Sequence, residues 1–388
     1  MRLVDPIRKT PRIIFLFSDT GGGHRSASEA IIEALNLEFP GRVQADMIDL
    51  FRAYAPKPLD LAPDIYPPLS RVPDVWGLGY RVSDGKQRTR MLNDALWPYV
   101  RLSISRLVRE NPADLLVSVH PLFNGPLGRR LANSKTPFYT VVTDMVSTHA
   151  AWFDRHAEKI VVATEAARQR GLKLGIEPNK LAVVGLPVAD RFCRPVGERA
   201  ALRAGLGWPQ DGPAVLLVGG GEGMGPLRAV AEAINAAHLP ATLIIIAGRN
   251  RKLKEQLERT EWNMPVRVYG FVREMPDFMR AADILVTKAG PGTICEAFIA
   301  ELPIILYSRM PGQEDGNVSF VVDEGAGVWA PEPDSVVNAL RRWLEHPQER
   351  LEAAATCRRL ARPLAARQIA RLLAQRVGLT SGDEHAHS

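Results

Sequence analysis

Nowhere in its 388 residues does the chain hold an uninterrupted apolar run near the ~20 residues that crossing a bilayer takes, so no spanning helix is expected. Cysteine is scarce. Cys193, Cys295 and Cys357 are too widely spaced for a metal-ligand pattern and are expected as buried thiols in a reducing cytoplasm. No D-x-D or H-E-x-x-H string occurs, so no metal cofactor is expected, and the charge of a bound phosphate would fall to backbone N–H groups and helix N-termini. The opening "MRLVDPIRKTPRIIFLFSDTGGG" has an apolar run too short for a signal peptide and reads as a first strand. No nucleic-acid-binding module is visible, and nucleic acid is not expected as a partner.

Basic residues are in modest excess, 49 against 43 acidic for a net +6, but unevenly placed. Residues 350–376 carry seven arginines and a single acid, Glu352. A second basic set, Arg81, Lys86, Arg88, Arg90, Arg101, Arg106 and Arg109, is interleaved with Trp76, Tyr80, Trp97 and Tyr99. Basic groups attract anionic surfaces and amphipathic aromatics settle at headgroup depth, so an anionic membrane surface is the expected partner of both segments.

Short β-rich runs recur with helix-length segments between them: "RIIFLF", "VQADMIDL", "DLLVSV", "FYTVVTD", "KIVVAT" and "KLAVVG". After residue 195 the rhythm restarts with "AVLLVGGG", "ATLIIIAG", "VRVYGFV", "DILVTKAG", "LPIILYS" and "GVWAP". That pattern predicts an α/β protein with parallel sheets and crossover helices, and the restart predicts two domains, 1–195 and 196–344. The proline-rich stretch 55–80 is too long for a plain connection. The polar end, 379–388, is expected to be disordered.

Three glycine-rich turns follow strands. "SDTGGGHRSAS" places Gly22, Gly23 and His24 where a strand gives way to a helix, a site that suits an anion because glycine lets the backbone approach and the helix N-terminus favours negative charge. It lacks the Lys-Ser/Thr of a Walker loop. Gly21, Gly23 and Ser26 nearly satisfy a dinucleotide fingerprint, with Asp46 and Asp49 at about the right remove for a ribose acid. The second loop, "GGGEGMG" (Gly219, Gly220, Gly221, Glu222 and Gly223 among it), breaks that spacing, and two such loops suggest a cleft holding a phosphorylated ligand. The third stretch, "KAGPGTICEAFIAELPIILYSRMPGQEDGN", puts Gly290, Pro291, Gly292 and Thr293 at a strand-to-helix turn and Glu296 in the first helical turn. Gln313, Glu314 and Asn317 cluster in the next loop, and amide and carboxylate groups suit sugar hydroxyls.

"SDTGGGHRSASEAI", "TDMVSTHAAWF", "GGGEGMGPL", "KAGPGTICEA" and "PGQEDGNVSFVV", together spanning about residues 12–325, resemble the monogalactosyldiacylglycerol synthases of glycosyltransferase family 28. The resemblance implies a GT-B architecture, two Rossmann-like domains facing across a deep cleft, with the last helix (about 345–378) crossing back to the first. It implies an inverting transfer of galactose from UDP-galactose to 1,2-diacylglycerol, by an enzyme peripheral on a membrane and without a metal. A UDP-glucose-dependent diacylglycerol glucosyltransferase, or less readily a UDP-sugar epimerase, stands as the alternative.

Carried over by position, "GGGEGMG" would face the pyrophosphate. Gly270, Phe271 and Val272 would meet uracil, Glu296 the ribose, and Gln313 and Glu314 the sugar. Arg191 is a candidate for the diphosphate, although family members often have arginine where this chain has Ala189. A single displacement needs a base for the acceptor hydroxyl. His24 is the first candidate, since an unperturbed imidazole titrates near neutrality, and Asp144 is the second. His120, His149 and Trp152 match positions on the acceptor side. They share that side with Trp76 and Trp97, the expected membrane contacts.

Overall fold

The structure is a computed structural model and describes residues 10–19, 22–64, 73–194, 197–221, 223 and 225–380. Glu222 therefore lies outside the described residues, as does most of the polar tail.

The twelve apolar runs are twelve strands in two sheets of six, all parallel. The first sheet has the order β2-β1-β3-β4-β5-β6: β1 (Arg12–Phe17), β2 (Gln44–Asp49), β3 (Leu115–Ser118), β4 (Phe138–Val141), β5 (Lys159–Val162) and β6 (Leu181–Val183). The second has the order β12-β11-β10-β7-β8-β9: β7 (Ala214–Val218), β8 (Thr242–Ile246), β9 (Val266–Tyr269), β10 (Ile284–Lys288), β11 (Ile304–Ser308) and β12 (Gly327–Trp329). The central strands read as unbroken apolar runs because helices cover both of their faces. Ile13 and Phe15, Leu116, Leu216 and Ile244, and Val215, Leu217, Ile245 and Val286 are buried in four separate cores, two per sheet.

The helices that set the site and join the halves are α1 (Gly23–Glu38), α2 (Pro73–Ser83), α3 (Lys86–Glu110), α4 (Leu227–Ala236), α5 (Pro291–Ile299), α6 (Asp315–Asp323) and α7 (Ala365–Arg376). The chain crosses back later than residue 345. The preceding helix, Pro347–Leu360, stays with the second half, where the Cys357 thiol donates to the carbonyls of Leu302 and Ala326. Only α7 returns, burying Ile369, Ala370, Leu373 and Ala374 in the first half's core beside α1. Leu379 packs there too, so the tail is ordered at least to that point.

The arginines near the end of the chain have local partners, which changes the reading of that segment as a membrane-facing charge. Arg367 and Arg371 pair with Glu38, Arg367 also with Asp190, and Arg376 with Glu158, so they fasten α7 to the first half. Arg358 and Arg359 pair with Glu301 and Glu324.

Each sheet has one place where successive strands depart in opposite directions, between β1 and β3 in the first and between β7 and β10 in the second. In open α/β sheets the crevice outside the carboxyl ends at such a switch point is where ligands bind. His24 and His120 follow β1 and β3; Gly219–Gly223 and Gly290 follow β7 and β10. Both switch points carry the residues that the sequence singled out.

Candidate functional site

Gly22 caps α1 in the left-handed region (φ 79°), which an L side chain rarely adopts, and it brings His24 round onto the end of the sheet. The imidazole is half-buried. Its Nδ1 lies 2.9 Å from Thr143 Oγ1, and its ring meets His120 edge-on with centroids 4.7 Å apart and Trp152 at 6.0 Å. Burial pushes its pKa down to about 4, against a backbone hydrogen bond at Val119 that favours the proton. At neutral pH the ring is uncharged and can accept a proton.

Asp144, beyond the end of β4, is buried. Its Oδ2 accepts from Trp152 Nε1 at 2.6 Å and its Oδ1 from Gln313 Nε2 at 3.0 Å. The second bond crosses from one half to the other. Burial pushes the carboxyl up to about 6, opposed by the Gln313 and Trp152 hydrogen bonds and helped by the charge of Glu314. His24, Thr143, Asp144, Trp152 and Gln313 thus form one connected group at the meeting of the two sheets.

On the second half, the glycine loop after β7 folds against the loop after β8. Gly223 donates to the Gly220 carbonyl at 3.1 Å, and Arg249 N donates to the Gly221 carbonyl at 2.8 Å. Two cations border this loop. A Cβ on Gly220 would lie 3.3 Å from Lys288 Cε, and one on Gly221 3.4 Å from Arg249 Nη1. The Arg249 guanidinium covers the exposed Phe271 ring at 4.7 Å, beside Gly270 and Val272 at the end of β9. Lys288 Nζ donates to Glu314 Oε1 at 2.6 Å, and Glu314 Oε2 accepts from Met310 N at 2.7 Å, so both carboxylate oxygens are engaged.

Gly290 is the N-cap of α5, with Pro291 in its first turn and open space above Gly292. The helix starts at Pro291, which puts Glu296 in the second turn rather than the first. Burial pushes Glu296 up to about 7, with the charge of Arg191 pulling the other way. Arg191 is exposed, its guanidinium over the Phe192 ring. Asn317 is buried in α6, its Nδ2 donating to the Ala289 carbonyl at 2.9 Å and its Oδ1 without a partner.

Several positions differ from their expected surroundings. His120 is buried against Phe51 and Phe123, and His149 caps a short helix by accepting from Ala151 N. Trp152 is wholly buried, so none of these three faces a surface. Trp76 and Trp97 are half-buried, Trp97 beneath the Arg129 guanidinium. The outward apolar side chains of α2 and α3 are instead Val75, Leu78, Val82, Met91, Leu92, Tyr99 and Leu102. Asp46 pairs with Arg12, while Asp49 accepts from Phe51 N, Arg52 N and Asp19 N. These bonds give the first loop's acids structural work and leave no dinucleotide pattern.

Lys288 and Arg249 carry no role in the sequence reading. Each ends or follows a strand at a glycine, "TKAG" and "AGRN", and a cation beside a strand-end glycine is the signal that marks them. Among the described residues no three His, Cys, Asp or Glu side chains gather as a metal ion would need, and no helix is long and apolar enough to cross a membrane.

Residues 24–188 match the monogalactosyldiacylglycerol (MGDG) synthase family and residues 214–371 the glycosyltransferase family 28 C-terminal domain. A probable monogalactosyldiacylglycerol synthase, chloroplastic, of Nicotiana tabacum is 36% identical over 364 residues, which cover 91% of this chain and 68% of that protein. Probable monogalactosyldiacylglycerol synthase 2, chloroplastic, of Oryza sativa subsp. japonica is 37% identical over 364 residues, 90% of this chain and 77% of that one. The chain belongs to the monogalactosyldiacylglycerol synthase family. Among solved structures, MurG of Acinetobacter baumannii superposes with a TM-score of 0.60 at 16% identity, covering 94% of this chain and all of that one. A putative UDP-N-acetylglucosamine 2-epimerase from Listeria monocytogenes reaches 0.63 at 12%, covering 95% and 96%. These likenesses concern the fold, and the two six-stranded parallel sheets with their covering helices are the GT-B architecture. In this member of the synthase family, the Gln313–Asp144 hydrogen bond is one of the contacts that join the two halves.

Proposed function

We propose that the protein transfers galactose from UDP-galactose to the free hydroxyl of 1,2-diacylglycerol, inverting the anomeric centre. The match to the synthases along about nine-tenths of the chain carries this reading. In it, the backbone N–H groups of Gly219, Gly220, Gly221 and Gly223 and the N-terminus of α5 receive the diphosphate, with Lys288 and Arg249 beside them. Phe271 and its neighbours receive uracil, and Glu296 the ribose diol. Asn317 Oδ1, buried and without a partner, is available to a sugar hydroxyl. Glu314, held by Lys288 and Met310 N, shapes the loop from which Gln313 reaches the donor.

The acceptor hydroxyl must lose a proton as its oxygen attacks. Asp144 is the stronger base of the two candidates, with each oxygen keeping a second lone pair beyond the bond it already accepts. His24 is neutral and adjoins the open space over Gly23, so it is placed to orient or relay the proton. The leaving diphosphate needs stabilisation in the transition state, and fixed donors at a helix N-terminus provide it without reorganisation.

Diacylglycerol resides in bilayers, so we further propose that the outward faces of α2 and α3 meet an anionic membrane surface. There, Val75, Leu78, Val82, Met91 and Leu102 stand among Arg81, Arg88, Arg90 and Arg101. The enzyme would then be peripheral to the membrane.

Incubation with diacylglycerol and either UDP-galactose or UDP-glucose, in EDTA, followed by product mass and anomeric analysis, tests the reading. The expected product is β-linked monogalactosyldiacylglycerol. A glucolipid, several added hexoses, or strict magnesium dependence would overturn the corresponding part.

A further inference from the structure

The face of α2 opposite its exposed Val75, Leu78 and Val82 carries Gly77, Tyr80 and Ser83, one helical turn apart, and this face turns inward. It touches both halves at once. On the first half, Tyr80 OH donates to the Ser147 carbonyl at 2.7 Å. Ser83 Oγ lies 3.2 Å from His149 Nε2, and Asp84, just past the helix, accepts from Ala150 N at 2.8 Å and from Arg170 at 2.7 Å. These contacts bolt α2 to the segment 144–152, which contains Asp144 and Trp152.

On the second half, α2 interlocks with the segment 310–316, which contains Gln313 and Glu314. A Cβ on Gly77 would stand 2.8 Å from Pro311 Cβ, and one on Gly312 2.8 Å from Tyr80 Cδ1. The glycine of each partner receives the ring of the other. Next to them Gly316 N donates to Ser147 Oγ at 2.8 Å, so Ser147 bonds Tyr80 through its carbonyl and the second half through its hydroxyl. The Gln313–Asp144 bond lies in the same seam.

We propose that Tyr80 is a positioning residue, a clasp that holds segment 310–316 against segment 144–152 and so sets the Gln313–Asp144 pair. The contacts of Tyr80 that span the seam are with Gly312 and, through its hydroxyl, the Ser147 carbonyl, so it acts on that pair through these two. The sequence groups Tyr80 with interfacial aromatics, whereas its ring points into the seam. Because α2 also bears the outward apolar face, seating that face on lipid and closing the seam become one event. The kinetic part rests on the galactosyltransferase reading; the clasp itself does not.

Hydrogen exchange of the peptide 310–317 needs neither sugar nor lipid. In Tyr80→Ala it should speed by about tenfold, and in Tyr80→Phe, which keeps the ring but loses the bond to Ser147, by less. Vesicles of phosphatidylcholine and phosphatidylglycerol should slow it in the wild type. With UDP-galactose and diacylglycerol, Tyr80→Ala should raise KM for the donor and lower kcat, with Tyr80→Phe recovering most of the KM. Gly312→Ala should resemble Tyr80→Ala. Its own positive-φ strain is the same in either background, so in Tyr80→Ala it should cost about tenfold less in kcat/KM than in the wild type. Unchanged exchange at 310–317 in Tyr80→Ala, additive effects of the two substitutions, or a loss confined to melting temperature would overturn the clasp. Should Tyr80→Ala fail to fold, Tyr80→Phe and Gly312→Ala carry the same exchange test. A wild type with the expected exchange but no galactolipid product would defeat the functional reading and leave the clasp standing.

Discussion

Two glycine turns occupy equivalent places, one after the first strand of each half, and their surroundings are opposite. Among the described residues, nothing beyond the adjoining backbone comes within 4 Å of where a Cβ would be on Gly22 or Gly23. Around Gly219 and Gly223 everything does: a Cβ would meet Leu227 Cδ1 at 2.8 Å at the first and the Ala247 carbonyl at 2.4 Å at the second. Cations border the second turn, Lys288 and Arg249, whereas His24, beside the first, is neutral and sits in an aromatic wall. The same three letters therefore do different physical work. In the first half they clear a space beside a neutral base. In the second they let two loops pack tightly enough to present N–H groups next to fixed positive charge. That asymmetry suits an uncharged alcohol on one side and a diphosphate on the other.

The largest effect should fall on the first side, where the bases are. General base catalysis contributes about 10²–10⁴-fold, so Asp144→Asn or His24→Ala should lose turnover on that scale while still binding UDP. The acid limb of kcat tells the two apart. A base works deprotonated, so turnover rises with pH through its pKa and then levels. With Asp144 as base the midpoint lies near its value of about 6; with His24 the plateau extends down towards about 4. A midpoint near 6 that disappears in Asp144→Asn identifies the carboxylate. An unchanged limb in that variant excludes it.

On the second side Lys288 makes the comparison electrostatic. Lys288→Met leaves Glu314 buried without its cation, at a cost of about 3–5 kcal/mol in stability, and should weaken UDP binding by about 100-fold. Adding Glu314→Gln removes the stranded charge. The double variant should regain most of the melting temperature, read by calorimetry, but not the UDP affinity. Recovery of both would mean that Lys288 serves Glu314 alone.

Much of this contrast is legible in the sequence. The central strands can be read because buried parallel strands are unbroken apolar runs, the edge strands β2, β6 and β9 by their place in the same rhythm, and the turns because glycine follows closely. What could not be read was which neighbour each loop would meet. Lys288 looks like any strand-end lysine until β10 is found beside β7, and that adjacency is set by the reversal of strand order, not by local sequence. Tyr80 and Trp152 share composition with membrane-facing aromatics; only the packing of α2 and of residues 150–152 turns them inward. Charge misled in the same way, since the terminal arginines register as a basic stretch until Glu38, Asp190 and Glu158 arrive from elsewhere in the first half.

The smallest effects test the glycines themselves. Gly223→Ala places a methyl group 2.4 Å from a carbonyl oxygen at a φ of +59°, and neither loop can yield without losing the packing that shapes it. A loss of about 2–4 kcal/mol is expected, with UDP affinity falling alongside. Gly23→Ala meets no atom, has ordinary helical φ and replaces glycine in the first turn of α1, so thermal stability should stay within about 0.5 kcal/mol of the wild type. Its effect should appear only in kinetics, as a raised KM for diacylglycerol from a methyl group standing in the space beside His24. Equal thermal losses in the two variants would erase the distinction between an open turn and a packed one. An unchanged KM in Gly23→Ala would move the alcohol's approach away from α1, towards the Asp144 side of the seam.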